Sequence, residues 1–485
     1  MKSSRLLLLL VFVVSYLIGH SQESPFILFG GDKNDIGNTL IEKTSGNGYL
    51  IGGSTRSFGN GSSDYYYIDI DTNYSIINQL SFGGIYYDKL STIIPFDENY
   101  LLFGMSSKTI SNRNIDFNSI FINELGEVLS NTFIRRTYVD VAYKAYKTSD
   151  NNYLAIGLSR SSQVDLTHGQ CKLYKLSPAG SIILEKDFGE NKVREYGLDV
   201  LENSLGYVVL SNINCELDLL AEFPVMKEPS SISVLQVDFN GDTIWEYKYP
   251  GRDYDYAYSM VQLKDHIYVA MNTRSGNTQS FDIKVLKIDM QGLLVDSFSF
   301  GGSDFEYANK IISDSNGDLL ICGTTASNVS RPSFYAVKFD TSGTIFWEKT
   351  IEQDASIYAN DVIETKNSNY LFTGKYSHNP DNSDVFLLEL LPNGELINSI
   401  PEIPTKEELS VYPNPTVNRV IIRLNISPIN SISIYNLKSQ LVYRANYIGK
   451  YKSVVLDLGD LKTGSYILNV ENLDGKIHNH KIIVN

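Results

Sequence analysis

The stretch from Phe300 to Ile351 reads FGGSDFEYANKIISDSNGDLLICGTTASNVSRPSFYAVKFDTSGTIFWEKTI. It holds four short strand-like runs, roughly Tyr307–Ser313, Asp318–Thr324, Ser333–Asp340 and Thr344–Ile351. Turn residues separate them: Asn316-Gly317, a polar loop around Asn328, and Asp340-Thr341-Ser342-Gly343. Working outward, Phe29-Gly30-Gly31 and Phe82-Gly83-Gly84 repeat the opening triplet, with weaker copies at Phe133, Phe188-Gly189, Tyr249-Pro250-Gly251 and Ile351. These starts are 53, 51, 55, 61, 51 and 51 residues apart, the period of a four-stranded unit.

Other signals recur at set offsets within the unit. A Tyr is followed four residues later by a small residue at Tyr49/Gly53, Tyr100/Gly104, Tyr153/Gly157, Tyr207/Ser211, Tyr268/Asn272 and Tyr370/Gly374, with Leu319/Gly323 in the remaining slot. Such residues tolerate tight or left-handed backbone, so a strand end is expected there. Turns such as Asp238-Phe239-Asn240-Gly241 and Asp289-Met290-Gln291-Gly292 close an apolar strand, with Asn73-Tyr74 the odd member. Ten residues before them stand Asp64, Asp116, Gln170, Ser231, Asp282, Ser333 and Asp384, so that strand keeps its length while the loop ahead of it varies. Tyr65–Ile68 and Val385–Leu388 are apolar on both faces, which a strand requires when its sheet is covered on both sides. Four-stranded sheets each packed between like neighbours describe an all-β, seven-bladed β-propeller over residues 22–400. A solenoid is the competing architecture, disfavoured because its units are shorter. One strand is supernumerary: Phe26–Phe29 and Glu395–Ile400 both match the fourth-strand position, and one of them is expected to close the ring.

The chain has 485 residues, with 41 basic and 56 acidic side chains and a net charge of −15. An acidic chain without a basic cluster argues against nucleic acid as partner. At the N-terminus Lys2 and Arg5 precede the apolar run Leu6–Ile18, and Gly19-His20-Ser21 offers a cleavage site between Ser21 and Gln22, so residues 1–21 read as a secretory signal peptide. No later apolar run reaches membrane-spanning length, so no transmembrane segment is expected in the mature chain. Cys171, Cys215 and Cys322 are too few for a disulfide framework; Cys171 and Cys215 can pair only if their segments meet.

After Ile400 the repeat ends. Residues 401–408 read as an exposed linker, and 409–485 as a small β-sandwich with strands near Val420–Leu424, Ser431–Tyr435, Ser453–Leu458, Tyr466–Val470 and Lys481–Val484. Tyr412-Pro413-Asn414-Pro415, then Gly464-Ser465-Tyr466, then Asp474-Gly475 and a last strand at the C-terminus resemble the type A C-terminal sorting domain of the type IX secretion system. The resemblance implies export to the periplasm of a Gram-negative cell and passage through the type IX translocon. It further implies removal of the tail by a processing protease, and release or attachment at the cell surface. The repeats are similar, more loosely, to the β-propellers that precede such tails.

Candidate chemistry is sparse. An acidic residue follows each Phe-Gly-Gly slot: Asp35, Asp88, Asp140, Glu195, Asp255 and Glu306, with Ile357 in the seventh. Six copies in seven units argue for a turn carboxylate that accepts backbone N–H groups; as a functional ring they would face a ligand at the channel mouth, Asp255 and Glu306 being the ligand-facing candidates. Asp69/Asp71/Asn73 and Asp314/Asn316/Asp318 have calcium-like spacing but lack a full binding loop and fall where turn residues are common, so no cofactor is expected and calcium is the one alternative. His168, His266 and His378 form no ligand pattern, His478 and His480 lie on the tail, and no nucleophile elbow or phosphate loop is present. The apolar insert Asn212–Pro229 is the most individual loop. The expected function is a secreted or cell-surface binding scaffold for a glycan or protein ligand. The alternative is a polysaccharide-acting enzyme with carboxylates at the propeller axis, recognisable by paired acids about 5–10 Å apart.

Overall fold

The computed structural model describes residues 24–108, 115–134, 139–160, 169–189, 193–214, 230–251, 253–274, 280–397, 409–412, 414–416, 419–424, 427–451 and 453–485. The signal peptide with its Ser21/Gln22 junction, the 401–408 linker, Cys215, His168 and most of the Asn212–Pro229 insert lie outside the described residues.

The first blade runs Asp35–Glu42, Tyr49–Thr55, Asp64–Ile70 and Ile76–Phe82, paired in that order as an antiparallel meander. Residues 88–134, 139–188, 195–248, 255–300 and 306–351 repeat it five times. The strands of each blade are here called a to d. The a–d order follows from the turns: Gly126, Gly180, Gly241, Gly292, Gly343 and Gly394 all take left-handed φ between 77° and 85° at the c–d hairpin. Where the turn opens on Asp, its carboxylate accepts two backbone N–H groups, as Asp340 does from Ser342 (2.8 Å) and Thr344 (2.9 Å). In blade 1 Tyr74 takes this conformation, at φ 61°, which explains its odd sequence.

Strands b and c are buried along their whole length in blades 1 and 6, whereas strand d is half exposed. The burial comes from the neighbouring blade: Leu50, Tyr65 and Tyr67 of blade 1 pack with Leu90, Tyr100 and Ile120 of blade 2. Likewise Leu371, Val385 and Leu387 of blade 7 share a core with Leu40, Ile51 and Ile68 of blade 1, so the series closes into a ring. Backbone links repeat at every joint. Parallel bridges join Ser63 to Tyr87, Ile115 to Val139, Gly169 to Arg194, Ser230 to Tyr254 and Asn34 to Ser383. The two remaining joints are made by Glu306 N–H to Phe281 O and Ile357 N–H to Pro332 O, both 2.8 Å.

Of the two strands competing to close the ring, the N-terminal one does so. Ile27–Phe29 pairs with Asn382–Leu390 as strand d of blade 7, in the register Leu28 to Phe386. Phe26 anchors it, edge-on to Phe334 and Phe386 with ring centroids 6.4 and 5.2 Å away. Leu396 makes a single bridge, to Leu390, and packs half-buried against the blade 7 core.

The small residue after the Tyr has a different cause from the one its sequence suggests. Gly53, Gly104, Gly157, Gly323 and Gly374 lie inside strand b with ordinary φ, opposite a β-bulge in strand a. The bulge tips a strand-a carbonyl onto the glycine, so that a Cβ would meet it at 1.7–2.1 Å. In blade 5 the residue at this register is Met271 rather than Asn272, facing Ala257. Gly323→Ala is therefore expected to lower stability by about 1–3 kcal/mol, because strand a must move; an unchanged urea midpoint would contradict the close approach.

The C-terminal residues form two further sheets. Leu409–Tyr412, Arg419–Leu424 and Ser453–Asp457 make one; Leu441–Tyr451, Ile429–Asn436, Gly464–Asn472 and Ile477–Val484 make the other. Val420, Ile422, Ile432, Ile434, Leu468 and Ile482 fill the core between them, separate from the blade cores. Cys171 and Cys322 are free, buried thiols in the blades, their pKa pushed up by burial.

Candidate functional site

The recurring acidic residues begin strand a, where they serve the blade. Asp35 accepts the N–H of Gly31 (2.8 Å) and the hydroxyl of Thr55 (2.5 Å). Glu306 accepts Gly302 N–H (2.7 Å) and Thr325 Oγ1 (2.6 Å), while Glu195 accepts Ser211 Oγ (2.6 Å). Asp88 accepts Gly84 N–H at 2.8 Å, and Asp255 accepts the hydroxyl of Thr273. Burial raises the pKa of Asp35 and Asp88 above the ordinary carboxylate range. Asp255 and Glu306, the ligand-facing candidates, are 0% and 2% exposed, so both point into their own blades. The carboxylate ties the Phe-Gly-Gly turn to the end of strand b, which is why the residue type recurs. Nothing is described of the Asp140 side chain.

The calcium-like triplets are likewise occupied by protein. Asp69 pairs with Lys43 at 2.6 Å, and its pKa is pushed up to about 6 by burial, against the pull of the lysine. Asp71 accepts the N–H of Asn73 and Ser75. Asp314 binds Lys338 (2.8 Å), Tyr370 Oη (2.7 Å) and the N–H groups of Asn316 and Asp318. Among the described residues no group of three or more His, Cys, Asp or Glu is arranged to hold a metal. His378 Nε2 lies 2.8 Å from Asp384, and His266 opens strand b of blade 5. Trp245 and Trp347 donate to Met290 O and Pro392 O in the c–d turn of the next blade.

A different column of residues recurs around the bulge in strand a. In every blade the a–b pairing skips one residue of strand a: Asn38, Ser91, Tyr143, Leu198, Tyr258, Asn309 and Asn360. Several of these reach the next blade, as Asn38 donates to Leu90 O (2.8 Å) and Asn360 to Gly37 O (2.9 Å). The residue just after the bulge is Thr39, Thr92, Lys144, Asp199, Ser259, Lys310 and Asp361 in blades 1 to 7. Lys144 and Lys310 belong to blades three apart, yet each acts electrostatically on the other. Both are half-buried.

The two carboxylates of this ring are held by backbone. Asp199 accepts Val200 N–H and Met260 N–H, both at 2.9 Å; Asp361 accepts Val362 N–H (3.1 Å) and Leu40 N–H (2.9 Å). Neither lysine has an ion pair within 4 Å among the described residues, although Asp199 and Asp361 act on both at longer range. Burial and the charge of Lys310 lower the pKa of Lys144, while Asp361 and Asp199 hold Lys310 above the ordinary lysine range against its burial. Ser259 is 2% exposed, and its Oγ has no hydrogen-bond partner. The sequence carried a signal for this ring: its members stand four residues after the acidic column, and within a repeating frame that position alternates threonine, lysine, aspartate and serine.

In the tail, Asn414 donates to Lys481 O (2.7 Å) and accepts Ile483 N–H (2.9 Å), and Thr416 N–H donates to Ile483 O (2.8 Å). Asn414–Pro415 is a cis peptide; Pro413 and the Tyr412 side chain lie outside the described residues. Tyr466 is buried and donates to Lys462 O at 2.6 Å, Gly464 opens its strand, and Gly475 takes φ 79° in the final hairpin. The motif residues thus lace the first strand of the sandwich to its last.

No curated protein matches the chain. Among solved structures it is similar to a protein of unknown function from Bacteroides caccae, with 13% identity over 62% of this chain and 93% of that one and a TM-score of 0.38. A protein of unknown function from Dyadobacter fermentans gives 9%, 76%, 98% and 0.42, and Sqt1 from Chaetomium thermophilum gives 10%, 75%, 100% and 0.41. No helix among the described residues is long and apolar enough to cross a membrane. Residues 410–485 match the secretion system C-terminal sorting domain, the mark of proteins secreted or attached to the cell surface by type IX secretion in Gram-negative bacteria.

Proposed function

We propose that the propeller is a non-catalytic binding scaffold for a glycan or protein ligand outside the cell, exported with the sorting domain as its address and released from that domain by a processing protease. One observation carries this reading: the recurrent acids, the residues best suited to catalysis, are consumed by the blades, each closing a turn and buried. The rival reading, a polysaccharide-acting enzyme using Asp255 and Glu306, draws no support from side chains that face neither channel nor solvent.

The test is a panel of surface polysaccharides and bacterial surface proteins passed over the immobilised chain. A saturable ligand is expected, with its affinity within about twofold of wild type in Asp255→Asn and Glu306→Gln. Those variants are expected to lose about 1–3 kcal/mol of folding stability, since each leaves buried donors poorly matched. Reducing-sugar release by the wild type that disappears in either variant would sink the scaffold reading.

A further inference from the structure

We propose that the outer strand of blade 1, Ile76–Phe82, is the docking surface for the chain's own C-terminal sandwich, which stays seated there until proteolysis cuts the link between them. The proposal goes beyond the scaffold reading and takes from it only the cleavage of the tail; it does not depend on what the propeller binds. The first observation is a break in a pattern. The second residue of strand d is apolar and exposed in blades 2 to 6: Leu129, Ile183, Ile244, Val295 and Phe346 are 49–55% exposed. Their counterpart in blade 1 is Ile77, placed there by the pairing of Ile70 with Ile76, and Ile77 is half-buried, as is every residue of its strand. The cover comes from the tail, where Ser453–Asp457 approaches Ile76–Phe82 with Cα atoms within 8 Å.

The facing surface of the sandwich carries the matching chemistry. Val420, Ile422 and Leu424 point into its core, so Arg419, Ile421 and Arg423 share the opposite face. Ile421 is 4% exposed although it lies outside that core, and Val455, paired with it across the sheet, widens the apolar strip. An arginine stands at each end. Arg419 pairs with Glu127 at the c–d turn of blade 2, and Arg423 Nη1 lies 3.7 Å from Asp71 Oδ2 at the c–d turn of blade 1. Both acids are set by their own turns. Glu127 Oε2 accepts Asn123 Nδ2 (2.9 Å), and Asp71 Oδ1 takes two backbone N–H groups, which leaves the other oxygen of each for its arginine. Residues 409–485 hold nine basic and four acidic side chains although the whole chain has a net charge of −15, so the attraction extends past these two pairs.

Ion pairs at an interface rim contribute little alone, and one strand's width of apolar contact is far less than separate chains need to stay bound. The seat holds because residues 398–408 join the two units and keep them at an effective concentration of about millimolar. A cut in that link removes the advantage, and the sandwich leaves.

The experiment is hydroxyl-radical footprinting of the full chain, and its first arm needs no substitution. In about 50 mM salt Ile77 is expected to oxidise about threefold more slowly than Ile183, and in 1 M salt, where charges are screened within about 3 Å, the difference should shrink to less than about 1.5-fold. Arg419→Glu together with Arg423→Glu should bring Ile77 to the rate of Ile183 in dilute salt. Arg419→Glu alone should raise its rate about twofold, and adding Glu127→Arg should reverse that rise, since the pair is then rebuilt with its charges exchanged. After cleavage at a protease site placed within residues 401–408, sandwich and propeller are expected to elute separately at about 1 μM. Ile77 oxidised as fast as Ile183 in the unmutated chain, charge reversals without effect, or a cut tail that stays bound would overturn the proposal. Loss of docking with ligand binding intact leaves the scaffold reading standing; an empty ligand panel with Ile77 protected removes the scaffold reading alone.

Discussion

A chain truncated after Glu408 is expected to stay in the periplasm as a folded propeller, with the amount reaching the cell surface or medium falling at least tenfold. Ile27–Phe29 supplies the strand that closes the ring, so the truncated chain keeps its cores. The sandwich folds around its own apolar residues, and its earliest and latest segments are laced together by Asn414, Thr416 and Asn485. A recognition surface built this way is lost as a unit. Cell fractionation with protease shaving reads the result, and a truncated propeller at the surface in normal amount would refute the role of the tail. Asn414→Ala is a milder version. It removes two hydrogen bonds to the final strand and is expected to reduce export without affecting the propeller's thermal transition.

The second large effect lies at the other end. Removing residues 24–29 takes away strand d of blade 7 together with Phe26 and Phe29, which are 6% and 5% exposed. Each buried phenylalanine contributes about 3–5 kcal/mol, so the melting temperature should drop on the order of 10 °C. The loss also leaves Asn382–Leu390 as an unpaired edge, and oligomers are expected on size-exclusion chromatography. Deleting Leu396–Asn398 should cost much less and leave the Asn382–Leu390 edge covered, since Leu396 makes one bridge and packs half-buried against that core. Equal stability of the two deletions would show that the ring is closed some other way.

Much of this architecture was legible in the chain because the repeat exposes its own grammar. Phe-Gly-Gly, the Asp-x-x-Gly turn and strands apolar on both faces each impose one geometry, and all seven units repeat it. The role of Gly323 and its relatives was misplaced because a bulge on the partner strand, not the glycine's own torsion, creates the demand. Which end closes the ring was undecidable from pattern alone, since Phe26–Phe29 and Glu395–Ile400 carry the same alternation; the anchoring contacts of Phe26 distinguish them. At the site, reading for repeated acids led to Asp255 and Glu306, which repetition had already assigned to structure. The informative column was the one that changes, with Lys144, Asp199, Lys310 and Asp361 in a frame that otherwise stays constant.

The pairing of Leu28 with Phe386 joins the two ends of the repeat array, and that has a bearing on timing. The first strand to emerge during synthesis has no sheet to join until the seventh blade exists, so the chain cannot lock early. Until almost all of it is made it remains an open string of blades, each able to form its hairpins but none sealed into a circle. For a protein secreted by the type IX route, such a delay keeps the most resistant form from arising until the whole repeat array has been made.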